Sequence, residues 1–203
     1  MVQKTTKGRP RGFDTGAVIG QVRDAFWQHG YDGTSMDQLV SATGLHKPSL
    51  YGAFGDKKRL YLEALNRYLD ETRVEFGAAF RVPDIWDSIT ELAARAIALY
   101  TRTPMAAGCF MLSTALPVAG GDDEIMQVVR GSMDELDRAL VRRFERAVEA
   151  GQIPAGADIA GLARLISTSH YELSVRARAG YSRAELAAMA AETTRMAKRL
   201  ATA

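Results

Sequence analysis

Apolar residues recur at every third or fourth position along nearly the whole chain, and glycine and proline cut that pattern into helix-sized pieces. No segment alternates as a half-buried strand does, so the pattern admits only an all-α fold. Val18, Val22, Ala25 and Phe26 form the first stripe, which Gly30 ends. Thr34 starts a second helix, with Asp37 three residues on in a capping-box arrangement and Met36, Leu39 and Val40 on its inner side. Gly44 breaks it, and a third helix runs from about Lys47 to Phe54 with Pro48 in its first turn, where a missing N–H does no harm.

A much longer helix follows from Asp56, carrying Leu60, Ala64, Leu65, Tyr68, Leu69, Thr72, Phe76 and Phe80 up to Pro83. Asp84 caps the next, with Ile85, Ile89, Leu92, Ala96 and Leu99, which stops before Pro104. An uncharged helix is expected over Met105–Leu116, then a loop from Pro117 to Gly121. Asp122 opens a long helix that Gly151 and Pro154 stop, and two more run from about Asp158 to Ala179 and Arg183 to Ala201, with Ser182 and Glu185 as a second capping box. The count is about nine helices. The first three make a compact bundle, joined by the long fourth helix to a C-terminal helical body.

Several function classes fall away. With 203 residues, 47% of them hydrophobic and 25% charged, the chain buries a core without staples. Its one cysteine, Cys109, excludes an internal disulfide and a Cys-rich zinc module, so a cytoplasmic setting is expected. The basic start lacks the apolar run of a secretory signal, and the charge-free stretch Thr103–Gly121 is interrupted by Pro104, Gly108 and Pro117, so no membrane association is expected. His29, His46 and His170 are isolated from one another and from any catalytic or metal-ligand spacing. Asp122, Asp123 and Glu124 suit a helix start better than a cation site. Neither an enzyme, nor a cofactor, nor a metal is expected.

Charge points to a polyanion. Residues 1–60 carry nine Lys/Arg against five Asp, while the rest of the chain carries seventeen basic and nineteen acidic residues. The second and third helices, joined through Gly44-Leu45-His46, have the lengths and turn of a helix-turn-helix. One helix fits the DNA major groove while its partner crosses the backbone. The outward positions of the third helix are His46, Lys47, Ser49, Tyr51 and Gly52. The arm over residues 1–11, with Lys4, Lys7, Arg9 and Arg11 and no acid, reads either as a minor-groove or phosphate clamp or as a solvated tail.

Thr34-Ser35-Met36, Leu39, Gly44-Leu45, Pro48-Ser49-Leu50-Tyr51, Phe54, Lys57 and Leu60 fall at the spacings of one signature over about residues 13–61. In these residues the chain resembles the TetR family of bacterial one-component regulators. The resemblance implies a homodimer that binds a pseudo-palindromic double-stranded DNA operator, usually as a repressor. It also implies a helical body that dimerises and encloses a pocket for a small-molecule effector. Residues 1–60 are then the DNA-binding domain with its basic arm, and 61–203 the ligand-binding and dimerisation domain. Carried over by position, Lys47, Ser49 and Tyr51 are recognition-helix contacts, Thr34 and Ser35 face a phosphate, and Lys57 is a further phosphate contact. His46 stands where the family has Ser or Thr, and Ala53 where it has His or Tyr.

In the body, Leu162, Ile166, Leu173, Leu186, Met189, Thr193 and Met196, with many alanines, suit either a four-helix dimer interface or the chain's own core. Tyr100, Cys109, Phe110, Met126, Met133 and His170 are the candidates for a largely apolar effector pocket, with plain core as the alternative for each. Cys109 near a helix start reads either as a thiol that senses electrophiles or oxidants, or as an inert buried cysteine. A DNA-binding protein with no ligand is the remaining rival.

Overall fold

A computed structural model of the protein describes residues 13–102 and 107–202. Among them lie nine α-helices and no strand: α1 (Thr15–Gly33), α2 (Met36–Thr43), α3 (Lys47–Phe54), α4 (Lys57–Ala79), α5 (Ile85–Tyr100), α6 (Leu116–Ala119), α7 (Asp123–Glu149), α8 (Ile159–Arg178) and α9 (Arg183–Leu200). Seven begin on a side-chain cap: Asp14, Ser35, Asp56, Asp84, Asp122, Asp158 and Ser182 each accept a hydrogen bond from an amide of the first turn. Most helix starts are therefore written in local sequence, since such a cap satisfies amides that have no partner within the helix.

Two boundaries differ from expectation. Ser35, not Thr34, caps α2, and Gln38 rather than Asp37 completes the box. Gly30 takes φ 75° inside α1, and Thr34 turns inward to donate its hydroxyl to the Gly30 carbonyl at 2.6 Å. The uncharged helix also starts later and ends later. Residues 103–106 lie outside the described residues, and the coil begins at Phe110, widens to a π-helical turn over Met111–Ala115, and runs through Pro117 into α6. The Leu116 amide reaches back five residues to the Met111 carbonyl. A proline ring clashes with the carbonyl four residues earlier in an α-helix, and the wider turn relieves that clash.

The core is continuous from the first helices into the body. Val22, Phe26, Leu39, Leu50, Leu60 and Leu65 share one buried cluster with Ala96, Phe110, Ile125 and Leu173. A second cluster joins Ile85, Leu92, Leu140, Phe144, Leu162 and Ile166. The turn from α4 to α5 is pinned by the buried Arg143 of α7, whose guanidinium donates to the Val82 and Pro83 carbonyls at 2.9 Å and to the Ser88 hydroxyl at 3.2 Å.

Most of the residues expected either at a dimer face or in the chain's own core lie in that core. Leu162, Ile166, Leu173 and Leu186 are buried against their own chain, and Met189 and Thr193 are half-buried. Only Met196 of that set stands exposed. The inward stripe of each helix is taken up by α5, α7 and the α8–α9 contact, so the outward stripe is what remains open: Thr168 and Val175 on α8, and Ala184, Ala187, Ala188 and Ala191 on α9.

Candidate nucleic-acid interface and cavity

Gly44 ends α2 in the left-handed region (φ 66°), with its amide bonded to the Val40 carbonyl at 2.9 Å. This turn lets α3 cross α2, and Leu39, Leu50 and Phe54 bury the contact. The outer side of α3 then carries His46, Lys47, Ser49 and Tyr51, all exposed. His46 caps α3 without a side-chain hydrogen bond, leaving its ring free for another partner. Lys47 Nζ is 2.9 Å from Asp37 Oδ1, and that hydrogen bond raises the ammonium's pKa. The cation of this face is therefore held in place by α2.

Ser35 is exposed beside this face, whereas Thr34 is fully buried with its hydroxyl spent on Gly30. Thr34 therefore supports the turn and is removed from the contact set. Lys57 is half-buried, its ammonium 4.5 Å from the centroid of the Tyr31 ring. Arg9 and Arg11 lie outside the described residues.

An aromatic chain connects this bundle to the body. Phe26 and Tyr31 of α1 each meet Tyr61 of α4, Tyr61 meets Phe110, and Trp27 meets both Tyr68 and Phe110. Thr114 donates its hydroxyl hydrogen to the Phe110 carbonyl, so Tyr61 must donate to Thr114 across 2.8 Å. Lys58 adds an ionic link, with Asp122 at 2.8 Å and Glu124 at 3.0 Å. That link draws the Asp122 carboxyl below its usual pKa. The acidic cluster at the start of α7 thus caps its helix and also ties the body to the first residues of α4.

Further along α4 a cavity of about 280 Å³ opens between α4, α5, α7 and α8. Leu69, Phe76, Phe80, Met111 and Leu136 make it largely apolar. Tyr100, Cys109 and His170 lie on its wall, three of the six residues proposed from sequence. Phe110 is consumed by the aromatic chain, and Met126 and Met133 pack against the core instead of the cavity. Sequence reasoning missed Tyr68, Arg73 and Glu135, which α4 and α7 bring to the wall, Tyr68 lying 41 positions from Cys109 and Arg73 62 positions from Glu135. Arg73 grips Glu135 through two hydrogen bonds, 2.7 and 2.9 Å, and holds that carboxyl below its ordinary pKa.

The polar groups at the inner end are neutral. Tyr100 Oη and His170 Nε2 are 2.7 Å apart, and burial lowers the His170 pKa to about 4 while pushing the Tyr100 phenol well up. Tyr68 donates to Cys109 Sγ at 3.4 Å, and burial raises the thiol's pKa. A buried, protonated thiol is the reverse of the low-pKa cysteine that a helix start alone suggests. Among the described residues, no three or more His, Cys, Asp or Glu side chains gather to hold a metal ion, and no helix is long and apolar enough to cross a membrane.

Comparison with known proteins agrees with this layout. A family model described as "Bacterial regulatory proteins, tetR family" matches residues 22–64, and one described as "Tetracyclin repressor-like, C-terminal domain" matches 86–193. The HTH-type transcriptional repressor ComR of Escherichia coli K12 is 29% identical over 195 residues, which span 95% of this chain and 93% of ComR. A cysteine mutant of the TetR family regulator CifR, solved with a 26-bp double-strand operator DNA, is 30% identical with a TM-score of 0.84, covering 92% of this chain and 98% of that one. A TetR regulator from Chloroflexus aurantiacus J-10-FL shares the fold with a TM-score of 0.81 at 23% identity, over 90% of this chain and 93% of its own. With an exposed α3 at one end and a walled cavity further along α4, the chain belongs to the TetR family of DNA-binding transcriptional regulators.

Proposed function

We propose that two copies of this chain bind a pseudo-palindromic operator as a repressor in the cytoplasm, and that a small-molecule effector in the cavity releases them. Residues 1–60 form the DNA-binding domain and 61–203 the effector-binding and dimerisation domain. His46, Lys47, Ser49 and Tyr51 enter the major groove, with Ser35 and Lys57 on adjacent phosphates and Arg9 and Arg11 on the arm. Two recognition helices read successive major grooves only when a twofold axis spaces them by roughly 34–36 Å. The outward stripes of α8 and α9, with Val175, Met196 and the α9 alanines, supply that dimer face.

One observation carries the reading: α4 runs from the helix-turn-helix bundle, where the Tyr61 ring packs on Phe26 and Tyr31, to the cavity, where Tyr68, Thr72 and Phe76 form the wall. An effector that binds better when α4 is tilted shifts the spacing of the recognition helices, and needs only different affinities for the two states. The solved CifR complex with operator DNA and the repressor ComR support the same mode. Selection of bound DNA from a random pool, followed by footprinting, tests it. A protected palindrome is expected from a dimer, and Met196→Glu with Val175→Glu is expected to yield monomers that lose it. Uniform protection would instead support a DNA-binding protein without sequence choice.

A second reading is favoured by one specific placement. Cys109 lies on the cavity wall with its thiol under the Tyr68 hydroxyl, so a small electrophile held in the cavity would be beside it, and its reaction would require loss of the thiol proton that burial retains. Cys109→Ser then abolishes electrophile-induced release from DNA. A full response in that variant ends the thiol reading and leaves reversible effector binding in place.

A further inference from the structure

Four buried side-chain polar atoms lack a hydrogen-bond partner among the described residues, and two belong to residues on the cavity wall: His170 Nδ1 and Tyr171 Oη. Their rings meet edge to face, with centroids 5.8 Å apart. A buried polar group without a partner carries a desolvation penalty that a bound molecule can relieve. The chemistry of that molecule follows from the hydrogens available. The arrangement with fewest unpaired groups has Tyr100 donating to His170 Nε2, which leaves the hydrogen on Nδ1. Nδ1–H is then a donor in want of an acceptor, and the Tyr171 phenol, kept protonated by burial, is a second.

The groups of the wall beside His170 are uncharged, and the Asp137 carboxylate that acts on the Tyr171 phenol is already paired with Arg164 at 2.9 Å. Tyr68, Tyr100 and Cys109 are neutral and buried. The charged residues of the wall are Arg73, Glu135 and Arg142. Arg73 and Glu135, both half-exposed, already neutralise one another, and Arg142 is exposed. A carboxylate carried inward would shed its hydration without meeting an unpaired buried cation, and an ammonium would find one unpaired acceptor, the Tyr171 oxygen, while its charge opposed the Nδ1 hydrogen of His170. A neutral oxygen with two lone pairs on an apolar body meets both orphan donors and fills the space beside Leu69, Phe76, Phe80 and Leu136.

Resting on the effector reading above, we propose that the effector is an uncharged, mainly apolar carbonyl compound, a ketone, aldehyde, ester or amide, whose oxygen accepts hydrogen bonds from His170 and Tyr171. Tyr171 is thereby a specificity-determining residue.

The test uses the full chain and four probes on a common phenylalkyl body: 1-phenylpentan-1-one, pentylbenzene, 1-phenylpentylammonium and 5-phenylpentanoate. By calorimetry the ketone is expected to bind about tenfold tighter than the hydrocarbon and both ions. Tyr171→Phe is expected to erase most of that preference while leaving the melting curve in place, because the hydroxyl it removes has no partner to lose. The carbonyl stretching frequency of the bound ketone, read without any variant, is expected to fall below its value in an alkane solvent. Equal binding of ketone and hydrocarbon, preference for either ion, an intact preference in Tyr171→Phe, an unshifted carbonyl band, or no binding at all each overturns the assignment. Release of operator DNA by an ion alone would overturn it while leaving effector control standing. Tight ketone binding with DNA fully retained would uphold the head-group assignment and overturn effector release.

Discussion

The indole of Trp27 and the ring of Tyr68 meet edge to face, their centroids 5.4 Å apart. This contact is where the first helix touches the wall of the cavity. Tyr68 faces the main cavity with its hydroxyl on Cys109, and with Thr72 it also borders a second space of about 130 Å³ beside Trp27, Arg23 and Glu71. A shift of α4 at Tyr68 therefore reaches α1 without any intermediate side chain.

Replacing Tyr68 separates its two contributions. Tyr68→Phe loses only the hydrogen bond to Cys109, an expected cost of about 1 kcal/mol in urea unfolding. Tyr68→Ala also opens a void under Trp27 and Phe110, with an expected loss of about 3–5 kcal/mol. Equal losses in the two variants would show that the ring contacts contribute nothing.

His170 makes stability depend on pH in a defined direction. Its folded pKa of about 4 lies below the ordinary 6.5, so the unfolded chain takes up its proton first. The penalty is absent above about pH 6.5 and grows as pH falls toward 4, reaching about 2 kcal/mol at pH 5. Urea unfolding at pH 7 and pH 5 is expected to show that extra loss in the wild type relative to His170→Gln. An identical pH response in both proteins would place the imidazole in solvent.

Gly108 stands at φ 82°, and a Cβ there would lie 2.9 Å from the Ser174 carbonyl oxygen. Gly108→Ala is thus expected to cost about 1–3 kcal/mol, read by thermal or urea unfolding, through left-handed strain and displacement of α8. Gly20→Ala is the control, since that position is helical with open space around it, and is expected to be neutral or slightly stabilising.

The helices were legible because their signals are local. Asp84, Asp122 and Ser182 cap where the sequence places them, and the 3.6-residue stripes identify the buried faces. Thr34 and Ser35 were harder to separate, since both are good caps and only the φ 75° turn at Gly30 sends Thr34 inward. The exposed face of α3 followed from Gly44 and the spacing of Leu50 and Phe54. The cavity was only half legible, because periodicity tells which residues face inward and not which inward faces leave a gap. Phe110 is as inward as Cys109, yet only Cys109 borders the empty space. The same limit applies to α8 and α9: Leu162 and Leu186 are apolar at the spacing of an interface stripe, and their own chain covers them.

The most direct measurement is the affinity of the full chain for its selected operator and for a scrambled duplex of equal length, by fluorescence anisotropy at fixed salt. Tyr51→Ala and Lys47→Ala alter exposed side chains on α3 and are expected to leave the melting curve unchanged. Tyr51→Ala is expected to weaken operator binding about tenfold or more with little effect on the scrambled duplex, and Lys47→Ala to weaken both and reduce the salt slope by about 1. Operator affinity undiminished in both variants would contradict the reading of DNA by α3.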